Sequence, residues 1–152
     1  MNVGIVGGQQ VGVCWCAPKN LEWIRSAEGL RHRETCEALR AVNRMRAIIG
    51  QLLIKHDELK VYSGGAKGAD AMAATICHEL GVVCEEIKPA SGPEPFWFRA
   101  KVRNQKIVDH SEMLIAIFAP GPRSPGTSDT VQRALQKGIP VHVYDNGRWL
   151  DR

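Results

Sequence analysis

Met113 to Ala119 is an unbroken run of seven apolar residues, closed by Pro120-Gly121. A run that short cannot cross a bilayer, which takes about 20 apolar residues. A strand with one wet face would alternate apolar and polar residues. The absence of alternation here marks a strand buried on both faces, as in the centre of a parallel sheet. Parallel neighbours need long crossovers, usually helical, so the rest of the chain should alternate strands with helices. It does.

Val3 to Val6 reads as a first strand running into Gly7-Gly8. Lys60 to Ser63 reads as a second, cut off by Gly64-Gly65, Val82 to Ile87 as a third, and Val141 to Tyr144 as a last. Between them the period changes. Cys36, Leu39, Val42, Met45, Ile49 and Leu52 recur at helical steps from Glu34 onward, and Ala69, Ala73, Ile76 and Leu80 share one helical face closed by Gly81. Phe96 to Val108 also reads as helical, and Thr127 or Ser128 is placed to cap a helix that runs through Lys137 to Gly138. The expected class is α/β: a Rossmann-like open, mainly parallel sheet of about five strands flanked by helices. No repeat or linker divides the chain, so residues 1–152 read as a single domain.

Two stretches stand outside this rhythm. Arg40, Arg44 and Arg46 lie mostly off the apolar stripe of the first helix and read as a solvated face. Residues 11–33 show no period and read as an insertion, with Trp15, Trp23, Lys19, Arg25, Arg31 and Arg33 within it.

Composition excludes several classes. With 44% hydrophobic and 24% charged residues the chain is neither disordered nor fibrous. Met1-Asn2-Val3-Gly4 lacks the pattern of a signal peptide, so a cytoplasmic protein with no membrane partner is expected. Five Cys argue against a disulfide framework. Cys14-Trp15-Cys16 has no second ligand pair, and His32, His56, His78, His110 and His142 show no metal spacing, so no metal and no required cofactor are assigned. A formal charge of +4 suits a phosphate-bearing ligand or a nucleic acid.

In such a sheet, ligands bind beyond the carboxyl ends of the strands. Three segments reach that edge. Ser63-Gly64-Gly65-Ala66-Lys67-Gly68-Ala69-Asp70 follows a strand, so its glycines let backbone come close to a ligand while the next helix offers unpaired N–H groups. Gly126-Thr127-Ser128 lies in a second such segment, Pro120 to Asp129. Arg103-Asn104, with Arg99, Lys101 and Lys106 nearby, combines a phosphate fork with an amide.

Together these segments resemble the SLOG superfamily, which includes the DNA-processing protein DprA and the LOG nucleotide hydrolases, and they are most similar to its small YspA-like members. The resemblance rests on Val61 to Asp70, Ala73, Pro89-Ala90, Arg103-Asn104, Met113 to Phe118, Gly126-Thr127 with Asp129, and Gly138 to Val141. It implies a nucleotide or nucleotide-derived ligand held between two glycine-rich loops. Gly64, Gly65 and Gly68, with Ser63 and Lys67, would form one wall. Gly126, Thr127 and Ser128, with Gly121, would form the phosphate-facing other. Gly7 and Gly8 stand where the family begins its first loop, and Arg103 and Asn104 match its helix. Asp70 would hold the loop or touch a ribose hydroxyl.

There are departures. The opening is Gly7-Gly8-Gln9-Gln10, not a Gly-Ser-Arg type of start, and Pro122 to Pro125 stretches the second motif. Thr130 occupies the glutamate position of the LOG hydrolases, with Asp129 one place early and so about 100° around the helix. Binding or sensing of a small phosphorylated nucleoside ligand is therefore the leading expectation, its base left open. One alternative is an N-glycosidic hydrolase of nucleoside monophosphates, with Arg103 and Asp129 as catalytic residues. Another, ranked below both, is DprA-like binding of single-stranded nucleic acid through Lys67, Arg99, Lys101 and Arg123, with Trp15 or Trp23 stacking. Self-association is expected from the resemblance.

Overall fold

The computed structural model describes residues 1–8, 26–27, 31, 36–118, 122–145 and 148–152, with the side chains of 37–39 left aside. Its elements are β1 (Asn2–Gly7), α1 (Glu37–Lys55), β2 (Lys60–Ser63), α2 (Ala69–Leu80), β3 (Val83–Glu86), α3 (Phe96–His110), β4 (Met113–Ile117), α4 (Pro125–Lys137), β5 (Val141–Asp145) and β6 (Arg148–Asp151). The six strands form one sheet in the order β3-β2-β1-β4-β5-β6. The first five are parallel and β6 runs antiparallel beside β5.

Alternation along the strands sorts the core into two layers. Val3, Ile5, Val61, Ile115 and Ile117 face α1 and α2, meeting Met45, Ile49, Ala73 and Ile76. Val6, Tyr62, Leu114, Ala116 and Val143 face the other way, against Ile107 and Val108 of α3 and Val131 and Ala134 of α4. Each fully buried aliphatic side chain contributes roughly 1.5–3 kcal/mol, which makes β1 and β4, apolar on both faces, the best anchored strands. The expectation for Met113 to Ala119 is met over β4, which sits between β1 and β5.

Three details differ from the sequence reading. β6 is an additional strand. α4 begins at Pro125, not at Thr127 or Ser128: Ser124 is its cap, and the Ser124 hydroxyl accepts the Thr127 N–H at 3.5 Å. Pro125 suits the first helical position because it lacks an N–H that would have no partner there. Third, α3 runs two residues further, to His110, and Lys137 of α4 covers its end by donating to the carbonyls of Val108, Asp109 and Ser111 at 2.7–3.0 Å. Gly81 and Gly138 close α2 and α4 in left-handed conformation, as expected.

The chain winds from β1 outward to β3, then returns to the opposite side of β1 as β4. α1 and α2 pack on one face of the sheet and α3 and α4 on the other, so a crevice opens at the carboxyl edge where the strand order reverses. Among the described residues no helix is long and apolar enough to cross a membrane.

Candidate functional site

At that reversal of strand order lies a cleft of about 110 Å3. Val6 and Gly7 form its floor, Ala66 and Asp70 one wall, and Ser124, Gly126, Thr127 and Thr130 the other. Arg103, Asn104 and Ile107 of α3 close the side.

Close approach explains the floor. A Cβ on Gly7 would collide with the Ala69 side chain and lie 2.7 Å from the Ile117 carbonyl oxygen. Gly8 then ties three elements together: its N–H donates to Ile117 at 3.0 Å, and its carbonyl accepts from Ala69 at 3.3 Å. The start of α2 is thereby drawn against the ends of β1 and β4.

The loop after β2 forms the first wall. Ser63 is buried, Gly65 and Gly68 adopt positive φ of 66° and 79°, and Gly68 caps α2. The Asp70 carboxylate reaches back to accept the Ala66 N–H at 3.1 Å. Burial raises the Asp70 pKa, against the opposing pull of the loop amides and of the Arg103 charge. Its Oδ1 is buried with no hydrogen-bond partner. Lys67 is exposed and is not part of the lining.

Arg103 spans the cleft. It donates through Nη1 to the Gly64 carbonyl at 2.8 Å and through Nε to Asn104 Oδ1 at 3.0 Å. A Cβ on Gly64 would occupy the place of that guanidinium. Burial lowers the Arg103 pKa, with the Asp70 charge opposing the shift. A guanidinium has five N–H donors, so two engaged ones leave others for a ligand. Asn104 is 5% exposed and carries the linkage on: its amide donates to Asp129 at 3.2 Å and to the Gly126 carbonyl at 3.4 Å.

The second wall is the first turn of α4. Gly126 and Thr127 line the cleft, whereas Ser128 is partly buried outside the lining, its N–H bonded to the Ser124 carbonyl. Asp129 sits behind, accepting from Arg133 at 2.9 and 3.2 Å as well as from Asn104. Burial pushes the Asp129 pKa up, but the Arg133 and Asn104 bonds outweigh it, so the net shift is down. Thr130, in the position expected for a glutamate, is 1% exposed and donates to the Gly126 carbonyl at 2.9 Å.

Ser124, Ala66 and Thr130 join the site beyond the residues singled out as ligand-binding from the sequence. Ser124-Pro125 carried a readable signal, since Ser before Pro favours a helix start. Arg99 and Arg123 lie elsewhere. Arg99 holds the carbonyls of Ala90 and Glu94, and Arg123 pairs with Asp145 over the Phe118 ring. Gly121, Gln9, Gln10, Trp15 and Trp23 fall outside the described residues, as does most of the 11–33 insertion.

Chemically the cleft gathers the Arg103 cation, the Asp70 carboxylate, three hydroxyls and the amino ends of two helices. A guanidinium beside helix amino ends is chemistry that can hold an anion. Among the described residues no cluster of three or more His, Cys, Asp or Glu is arranged to hold a metal.

No protein-family profile matches the chain, and no curated protein does. Two solved structures share its fold. The structural-genomics protein TM1055 superposes with a TM-score of 0.51 at 15% identity, over 92% of this chain and 71% of that one. DNA processing protein A (DprA) from Streptococcus pneumoniae gives 0.57 at 18% identity, over 96% of this chain. This chain spans 52% of the DprA chain. At such identities the likeness is one of fold: a Rossmann-like α/β domain shared with TM1055 and with part of DprA.

Proposed function

We propose that this domain binds a nucleotide or nucleotide-derived ligand, with a phosphate seated in the cleft between the two glycine-bearing walls. The observation that carries the reading is the convergence of Arg103 with the amino ends of α2 and α4 at the reversal of strand order. A volume of about 110 Å3 has room for a phosphate-sized group and not for a whole nucleoside, so the sugar and base would lie outside the mouth. The sequence resemblance to YspA-like members of the SLOG superfamily supports the same ligand class, and the likeness to TM1055 and DprA supports the Rossmann-like fold that would carry it.

Binding is favoured over N-glycosidic hydrolysis by the residues at the family's glutamate position. A hydrolase needs a carboxylate there to handle water or to stabilise the sugar cation. Thr130 stands in that place, and the neighbouring Asp129 is held by Arg133 and Asn104.

A second reading, binding of single-stranded nucleic acid, draws on the start of α3. Phe96 and Trp97 are 66% and 61% exposed, and Lys101 lies 5.5 Å over the Trp97 ring. Exposed rings beside cations suit stacked bases.

The test is thermal unfolding against mono-, di-, cyclic and sugar nucleotides and single-stranded oligonucleotides. A ligand at 100 times its dissociation constant adds about 2.7 kcal/mol. The reading expects a rise with a small nucleotide that is lost in Thr127→Val. A rise with oligonucleotides alone would replace it with the second reading, and a flat response of the folded protein would overturn both.

A further inference from the structure

A second and larger concavity, of about 660 Å3, opens between α1 and the β5–β6 pair. Its volume falls in the usual range of small-molecule sites, about 300–1,000 Å3, which the switch-point cleft does not reach. The charged part of its described lining is three arginines, Arg40 and Arg44 from α1 and Arg148 from β6. Arg40 and Arg44 are four residues apart, so they share one helix face, and all three side chains belong to exposed residues.

Among the described residues none forms a side-chain hydrogen bond or ion pair with the guanidinium of any of these three. The carboxylate next to Tyr144 in the chain, Asp145, is engaged by Arg123. Three like charges facing one concavity repel, and surfaces ordinarily intersperse the two signs. Trp149, half-buried, also lines the concavity, with Tyr144 (3% exposed) packed behind it. Tyr144 and Trp149 pair across β5 and β6 with ring centroids 5.2 Å apart, and the Trp149 indole Nε1 is buried with no hydrogen-bond partner.

We infer that this concavity is a binding site for a nucleoside polyphosphate, separate from the switch-point cleft. Guanidinium forks match phosphate oxygens. A terminal phosphate carries a charge of about −1.5 to −2, so a monophosphate leaves one arginine unmatched and a diphosphate matches all three. The partly exposed Trp149 ring beside the phosphates suits a planar base. The site uses residues that the switch-point reading does not, so either can fail without the other.

The test is calorimetric titration of the full chain with metal-free ADP, UDP and AMP. Arg40→Ala/Arg44→Ala/Arg148→Ala is compared with wild type and with Arg103→Ala, each first shown to be folded by circular dichroism. Loss of a charge-assisted contact costs about tenfold or more in affinity, so the triple variant should bind a diphosphate far more weakly while Arg103→Ala keeps that binding event. AMP should bind this site more weakly than ADP, and Trp149→Phe should abolish the fluorescence change that accompanies diphosphate binding. Diphosphate affinity equal in wild type and triple variant, loss in Arg103→Ala alone, or no diphosphate binding to folded wild type would each overturn the inference. Loss in Arg103→Ala alone would leave the switch-point reading standing.

Discussion

On the α2 wall of the cleft Asp70 is 6% exposed; on the α4 wall the side chain of Asp129 is 24% exposed. Both carboxylates lie near a cation, yet their pKa values move in opposite directions. Burial dominates at Asp70, whose neighbours are loop amides and a guanidinium that is itself desolvated. At Asp129 burial is milder, and Arg133 one turn along α4 engages both carboxylate oxygens. The glycines differ in the same sense. Gly7 and Gly64 have no room for a Cβ, whereas one added at Gly126 would meet nothing within 4 Å. At Gly7 and Gly64 the floor and first wall are thus packed to the limit, whereas the second wall has open space at Gly126.

The largest expected effect breaks the packed side. Gly7→Ala should destabilise the fold by about 3 kcal/mol, because Ile117 backbone cannot yield as a flexible side chain would. For a domain of this size that lowers the unfolding midpoint by roughly 6–12 °C. Gly126→Ala should instead be neutral or stabilising by up to about 1 kcal/mol, through helix propensity. Similar losses in the two variants would contradict the contrast.

Next comes Arg103→Ala. It removes the charge that opposes the upward shift of Asp70 and leaves Gly64 without its donor, a loss of about 1–3 kcal/mol by chemical denaturation. Carboxyl resonances followed against pH should show Asp70 titrating higher than in wild type. An unmoved Asp70 would mean that the guanidinium does not act on it.

The linkage signs sharpen the comparison further. Asp70 has a folded pKa above the unfolded value near 3.8, so the folded state binds more protons between the two. Its contribution to stability falls as pH rises through that window. Asp129 has a folded pKa below 3.8, so it stabilises above the unfolded value and that stability is lost as pH falls through the folded one. Asp129→Asn should cost about 0.5 kcal/mol at neutral pH, and less than that in acid. Denaturation midpoints of this variant against wild type at pH 3 and pH 7 check the sign.

Glycines after an apolar strand are a local signal, so the loop after β2 was legible in sequence; of the residues named there Asp70 lines the cleft, whereas Ser63, Gly64, Gly65, Lys67 and Gly68 lie outside the lining. The parallel sheet followed from β/α alternation, but the spatial order of its strands did not. The start of α4 was misplaced because Thr127 and Ser128 also make good caps, and only Pro125 breaks the tie. β6 was missed although Asn146-Gly147 is the strongest short hairpin signal. Its run, Arg148 to Asp151, is half charged, which hides an edge strand. Asn104 illustrates what no periodicity shows: its amide joins Arg103 to Gly126 and Asp129, residues that are remote in the chain and meet only at the reversal of the sheet. Arg40 and Arg44 read correctly as lying off the core stripe, but their shared concavity with Arg148 depends on where β6 lands.

The most direct test is an amide-resolved nuclear magnetic resonance titration with a nucleoside monophosphate and, in parallel, with the matching nucleoside. A phosphate seated in the switch-point cleft predicts shifts at Gly64, Ala66, Gly126 and Thr127 with the monophosphate, and no such shifts with the nucleoside. Equal shifts with both ligands, or shifts that avoid these four amides, would contradict the account.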